Sequence, residues 1–187
     1  MKILIIHPED NSTDFLTSIY DNLGGFPNYD EVTIVRSGLT KDEINKQIEK
    51  HDRIMMMGHG SPNGLFSVGR FAEAWGYVVD QTTVPLLQNK ECIFIWCNAD
   101  QFVNKHNLKG FYSGMFVSEV SEAAYCGMPN TPRSIVEESN DFFAKEFGLV
   151  SDKPLIEAYE YIKDVYGILT ENNPVAKYNH YRLYLNS

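Results

Sequence analysis

The stretch Ile54-Met55-Met56-Met57-Gly58-His59-Gly60-Ser61 is an apolar run that stops abruptly at glycine and histidine. A short apolar run bounded by glycine reads as a strand buried on both faces, here ending in a functional loop. A second run, Cys92-Ile93-Phe94-Ile95-Trp96, stops in the same way at Cys97-Asn98-Ala99-Asp100. A histidine and a cysteine therefore close two separate strands, with Cys97 thirty-eight residues after His59. In a parallel sheet, strands that end on one edge present their following residues to one crevice, where open α/β sheets place their sites. That geometry would bring His59 and Cys97 together.

Outward from this pair, the pattern alternates strand and helix. Lys2 to His7 predicts a buried opening strand, ended by Pro8. Asp10, Asn11 and Ser12 offer N-caps for a helix carrying Phe15, Leu16, Ile19 and Leu23 and closed by Gly24-Gly25. Glu31 to Arg36 is β-branched and predicts a second strand; Thr40 to Glu43 reads as a capping box for a helix that places Ile44 and Ile48 on one face. Asp52 to Met57 is the third strand, and the resulting βαβαβ order predicts a parallel sheet with right-handed crossovers. Before the fourth strand, Leu65 to Val68 and Tyr77 to Val79, around Gly69 and Gly76, predict a small hairpin near the crevice. Thr83 to Asn89 then suits a short helix with Pro85 in its first turn.

Beyond Cys97, a polar segment from Asp100 to Asn107, with Asp100 as a helix N-cap, leads to a fifth strand over Phe111 to Val117. Ser118 is the expected cap of a helix running to Tyr125, with Gly127 as its stop. Thr131-Pro132 opens a helix whose face carries Ile135, Val136, Ser139, Phe142, Phe143 and Phe147. Pro154 opens the expected last helix, with Leu155, Ile156, Tyr159, Ile162 and Tyr166 as its buried stripe. Alternation from Tyr178 to Leu185 predicts a half-exposed edge strand closing the sheet.

The 187 residues, 43% of them hydrophobic, suit one domain over 1–187 with a sizeable core. A formal charge of -9 and the lack of a dense Lys/Arg cluster argue against nucleic acid as a partner. Cys92, Cys97 and Cys126 have neither metal-type spacing nor a disulfide framework, which points to a reducing, cytoplasmic compartment. The apolar core Ile3 to Ile6 is too short for a signal peptide, and no run approaches the roughly 18 residues of a spanning helix, so no membrane association is expected. His51, His106 and His180 lack metal-ligand spacing, and no Walker-type or Gly-x-Gly-x-x-Gly loop is present; neither metal nor cofactor is expected. Cys92 and Cys126 read as core residues; His7, which also ends a strand and could line the crevice, reads rather as a residue that packs or hydrogen-bonds a loop.

A thiolate is the attacking species in cysteine catalysis, and a nearby imidazole can accept its proton and later protonate a leaving amine. His59 suits that role for Cys97. Gly60, with no side chain, lets its backbone N–H approach a substrate oxygen, and with the N–H of Cys97 it would form an oxyanion hole.

A strand ending in His-Gly followed by a core strand ending in Cys resembles the caspase-like (caspase-hemoglobinase) cysteine peptidases, which include gingipain- and clostripain-like enzymes. The matching residues are Ile54 to Gly60 and Ile93 to Cys97. The resemblance implies a three-layer α/β sandwich with a mostly parallel central sheet and an antiparallel last strand. It also implies a peptide or protein substrate, hydrolysed by His59 and Cys97. The Gln-Ala-Cys-Arg-Gly signature of caspases proper is absent, with Ile95-Trp96-Cys97-Asn98-Ala99 in its place, and metacaspases have an acidic residue where Ile95 stands. About a dozen residues separate Cys97 from the fifth strand, too few for a processed linker, so an active chain would work uncut. The loop after the first strand holds Glu9 and Asp10, candidates with Asn98 for substrate contact; a carboxylate there would receive a Lys or Arg side chain.

Two other readings stand beside this one. A caspase-like domain without activity would act as a binding or regulatory module, since fold alone does not establish function. A flavodoxin- or receiver-like domain shares the βαβαβ opening, but the first loop lacks the glycine of a phosphate cradle. The third strand also ends in Gly-His-Gly where a receiver needs an aspartate.

Overall fold

Alternate residues of the inner strands go to opposite faces, and both faces are apolar, so the chain must cover its sheet on two sides. A computed structural model describes residues 1–21, 28–68, 71–72 and 76–186; Leu23, Gly24, Gly25 and Gly69 of the expected elements lie outside them. The strands are β1 (Lys2–Ile6), β2 (Glu31–Val35), β3 (Arg53–Met57), β4 (Gly60–Ser61), β5 (Gly64–Phe66), β6 (Tyr77–Val79), β7 (Glu91–Ile95), β8 (Gly110–Ser113) and β9 (Leu183–Asn186). The helices are α1 (Ser18–Asp21), α2 (Lys41–Lys50), α3 (Val84–Leu87), α4 (Ala99–Lys105), α5 (Val120–Tyr125), α6 (Arg133–Gly148), α7 (Leu155–Leu169) and α8 (Pro174–His180). A 3-10 turn over Asp14–Thr17 leads into α1.

The main sheet has six strands in the order β2-β1-β3-β7-β8-β9. Its pairs are parallel except for β9, which runs antiparallel to β8. The protein is an α/β sandwich of three layers. On one face Ile3, Ile5, Met55, Met57, Ile93 and Ile95 pack against α1, α6 and α7 through residues such as Ile19, Phe143, Phe147 and Tyr166. On the other, Leu4, Ile6, Ile54, Met56, Phe94 and Trp96 meet Ile44 and Ile48 of α2, Leu87 of α3 and Phe102 of α4. Each such side chain contributes about 1.5–3 kcal/mol on burial. The Thr40–Glu43 capping box forms as the sequence predicts. The expected hairpin is the outer part of a three-stranded antiparallel sheet, β4-β5-β6, that begins directly after His59.

Several expected boundaries move. The polar segment after Cys97 is the helix α4, because Phe102 and Val103 are enough to anchor one buried face. Asn98 in the left-handed region, φ 65°, stands at its N-cap, and Asp100 lies in the first turn instead. Glu119 rather than Ser118 caps α5, through a capping box with Glu122. Pro132 is the N-cap of α6, and that helix begins one residue later than expected. The fifth strand ends at Ser113, short of Val117. Ile156 is half exposed and Ala158 takes its place in the buried stripe of α7. A further helix, α8, follows α7 because Asn173 caps it by accepting from Ala176 N and Pro174 occupies its first turn. It takes Tyr178 and His180 out of the expected strand, leaving β9 to start at Leu183.

At the edge of the sheet opposite the His59 loop, the buried Arg53 of β3 donates to the carbonyls of Ser151 and Lys153, both at 2.8 Å, and to Glu91. These bonds tie the α6–α7 connection to the sheet. Among the described residues no helix is long and apolar enough to cross a membrane.

Candidate functional site

β3 and β7 are neighbours in parallel register, with Met57 opposite Ile95. His59 and Cys97 each come two residues later, so they leave adjacent strands at the same level. Each also shares the parity of the residues that face α1 and α6. Gly58 N donates to Ile95 O at 3.0 Å, which carries the pairing beyond the strand end. Both side chains line one narrow crevice, together with Thr13, Leu16, Phe116 and Ser118.

His59 is held by the loop after β1. Its Nε2 lies 2.6 Å from Ser12 Oγ and 3.3 Å from Asp10 Oδ1. The Ser12 hydroxyl donates its single proton to Asp10 Oδ1 at 2.5 Å, and Ser12 N donates to the same oxygen at 2.9 Å. The short bond to His59 therefore runs from Nε2–H to Ser12 Oγ, which assigns the neutral ring its proton on Nε2 and leaves Nδ1 as the basic nitrogen. Hydrogen bonds from the Ser12 hydroxyl, then from the Ser12 amide and from His59, hold the Asp10 carboxyl below the usual carboxylate range.

No family model matches this chain, and no curated protein matches it in sequence.

Cys97 has different neighbours. Its Sγ–H donates to Phe116 O at 3.3 Å and approaches Glu122 Oε1 at 3.8 Å. Burial, reinforced by the Glu122 carboxylate, pushes the Cys97 thiol up to about 12. The resting sulfur is thus a thiol turned toward α5, while His59 on the same crevice is tied to the β1 loop. Cys92, wholly buried, donates to Leu87 O and is pushed to about 12 by burial; Cys126, just past the end of α5, is partly exposed.

The remaining expected site residues divide. Asp10 is a partner of His59 and lines neither the crevice nor the cavity beside it. Glu9 is exposed; its N–H bonds Arg36 O, and its side chain lines neither the crevice nor the cavity beside it. Asn98 N donates to Gly114 O, and its backbone turns the chain into α4. Gly60 has a steric role of its own, since a Cβ there would lie 2.2 Å from Trp96 Cδ1. In the β4–β5 ladder His59 O accepts from Phe66 N, so Gly60–Leu65 is the non-bonded pair and the Gly60 N–H turns away from β5.

Beside the crevice lies a cavity of about 440 Å³ lined by Ser12, Phe15, Ser118, Glu119, Asn140 and Asp141 among others. Phe15 and Ser118 border both spaces. Among the described residues, no three His, Cys, Asp or Glu side chains are grouped to hold a metal ion.

Sequence reasoning missed Ser12 and Glu122. Asp10-Asn11-Ser12 carries the signal of an Asx turn, in which a carboxylate accepts from the chain two residues on, but the same letters also suit N-caps. Glu119-x-x-Glu122 carries a capping signal that says nothing of the sulfur it approaches.

His7, also at the end of β1, is fully buried between Tyr20 and Thr13. Burial lowers it from 6.5 to about 4. The unfolded chain then binds a proton that the folded chain refuses, so stability is lost as pH falls from about 6.5 toward about 4. The expected loss from this one group is about 3 kcal/mol. Urea unfolding of the parent and of His7→Gln across this range checks it: the parent's stability should fall more steeply, and parallel curves would refute the assignment.

Proposed function

We propose that the chain is a cysteine peptidase of the caspase-like type, which hydrolyses peptide bonds with Cys97 as nucleophile and His59 as general base and acid. One observation carries the reading: residues two past a register-matched pair, on adjacent parallel strands, line a single crevice. In this mechanism Cys97 Sγ turns from Glu122 toward the crevice and gives its proton to Nδ1 of His59, while Ser12 and Asp10 hold the ring through Nε2. The thiolate attacks the scissile carbonyl carbon, and the amides of Gly60 and Cys97 receive the oxyanion. His59 then protonates the leaving amine, and water, deprotonated by the same imidazole, releases the acyl group from sulfur. The catalytic groups are all side chains and amides of this chain; metal and cofactor have no part in it.

Hydrolysis of a peptide library covering every residue type at the cleaved position, monitored by mass spectrometry, tests the proposal. Cleavage that an excess of iodoacetamide stops is the expected result; no cleavage of any member overturns it. A second reading is favoured by the resting partners of the two residues, since neither the thiol nor the imidazole bonds the other. In that reading the domain is inactive and the 440 Å³ cavity beside the crevice receives a peptide of a partner protein. It predicts binding of library peptides that persists in Cys97→Ala, with no turnover.

A further inference from the structure

A carboxylate stands beside the Cys97 thiol, and it is unusually well fixed. Glu122 Oε2 accepts from Ser118 N at 2.7 Å, from Ser118 Oγ at 3.1 Å and from Glu119 N at 3.1 Å. These three donors anchor one oxygen at the start of α5 and leave Oε1 directed to Cys97 Sγ, 3.8 Å away. The sulfur's second acceptor, Phe116 O at 3.3 Å, belongs to the loop after β8 on the same side. Both acceptors draw the S–H proton to the Phe116–Glu122 side of the sulfur. Cys126, the residue that ends α5, and Tyr178 on α8 are, among the described residues, the other titratable groups that act on Cys97 from these elements. His59 lines the same crevice.

We propose that Glu122 is a positioning residue for Cys97: its fixed carboxylate keeps the resting sulfur protonated and turned toward α5, so that the thiolate forms only when Sγ turns to His59. The catalytic consequence rests on the peptidase reading; the hold on the thiol does not. An anion at this distance raises the free energy of a thiolate and accepts a hydrogen bond from the thiol, so both effects favour the protonated form. Burial acts in the same direction and with it places the thiol near 12. Peptide hydrolysis in this scheme starts from a thiol guarded against adventitious alkylation and oxidation, because only the thiolate reacts at an appreciable rate.

The test is the rate of Cys97 alkylation by iodoacetamide in the folded full chain, between about pH 5 and pH 9, read by mass spectrometry. Parent, Glu122→Gln and His59→Ala are compared, with Cys92 as internal reference. Glutamine keeps one oxygen for the three donors and presents a neutral amide to the sulfur. Cys97 in Glu122→Gln is expected to react about tenfold faster near neutral pH, with its profile shifted to lower pH. An unchanged or slower rate overturns the proposal, the slower rate by making Glu122 the group that takes the proton. A measurement on the unaltered protein covers the case in which Glu122→Gln does not fold: the S–H stretching band of Cys97, obtained as the infrared difference between parent and Cys97→Ala. That band is expected to persist above the reference thiol pKa of about 8.5, and its loss below that pH overturns the proposal. Absence of peptide cleavage would remove the peptidase reading and leave these thiol measurements unaffected, so the two failures are distinguishable.

Discussion

Cys97→Ala is expected to lower peptide hydrolysis by about a thousandfold or more, to the background of the assay, and His59→Ala to do the same. The two losses should not add, because nucleophile and base act in one step and removal of either leaves the other without a partner. Both variants should fold. Cys97 lies in the crevice wall, where losing one sulfur opens little space, and His59 is only partly buried at a loop. Near-parent melting temperatures with abolished cleavage would locate the effect in chemistry. Retained cleavage in Cys97→Ala would sink the peptidase reading, whatever His59→Ala does. A loss confined to His59→Ala would point to the Ser12–Asp10 cluster as the working chemistry of the crevice.

Gly60→Ala is expected to destabilise the protein by about 2–3 kcal/mol, a fall of roughly 5–10 °C in melting temperature for a chain of this size. The new methyl carbon would lie 2.2 Å from Trp96 Cδ1, 2.5 Å from its Cγ and 2.7 Å from Gly64 O. The indole cannot step aside. It is 1% exposed, its Nε1 donates to Ser61 O at 3.1 Å, and Phe94 and Phe102 meet it edge-on with ring centroids 5.5 and 5.7 Å away. Relief must come from displacement of β4, which directly follows His59, so hydrolysis should fall as well. This separates two roles of one glycine. A lowered melting temperature shows that packing against Trp96 requires it; an unchanged one, with activity lost, would assign the residue to its amide alone.

The strands of the sheet were legible because a buried parallel strand is written as a run of adjacent apolar residues, and β1, β3 and β7 are such runs between glycine, proline and polar breaks. The caps of α2 were legible because Thr40 and Glu43 are local partners, three residues apart. Where local signals competed, boundaries moved: α4 is mostly polar in composition, and only the packing of Phe102 and Val103 makes it a helix. The strand expected over Tyr178 to Leu185 begins only at Leu183, because Asn173 and Pro174 start a helix that takes Tyr178 to His180, and Tyr181 is exposed.

For the candidate site, the placement of His59 and Cys97 at one sheet edge followed from the letters, since adjacent parallel strands deliver their ends to one side. What each of them bonds did not. Ser12 is 47 positions from His59, and Glu122 is 25 positions from Cys97. Each was readable as a helix-terminal residue in its own segment. Hydrogen bonds of this kind depend on where two loops meet in space and on which nitrogen or oxygen each presents. Buried strands and local caps such as that of α2 are written in neighbours along the chain; a helix such as α4 and the partner of a site residue depend on neighbours across the fold, and only the tertiary structure brings those together.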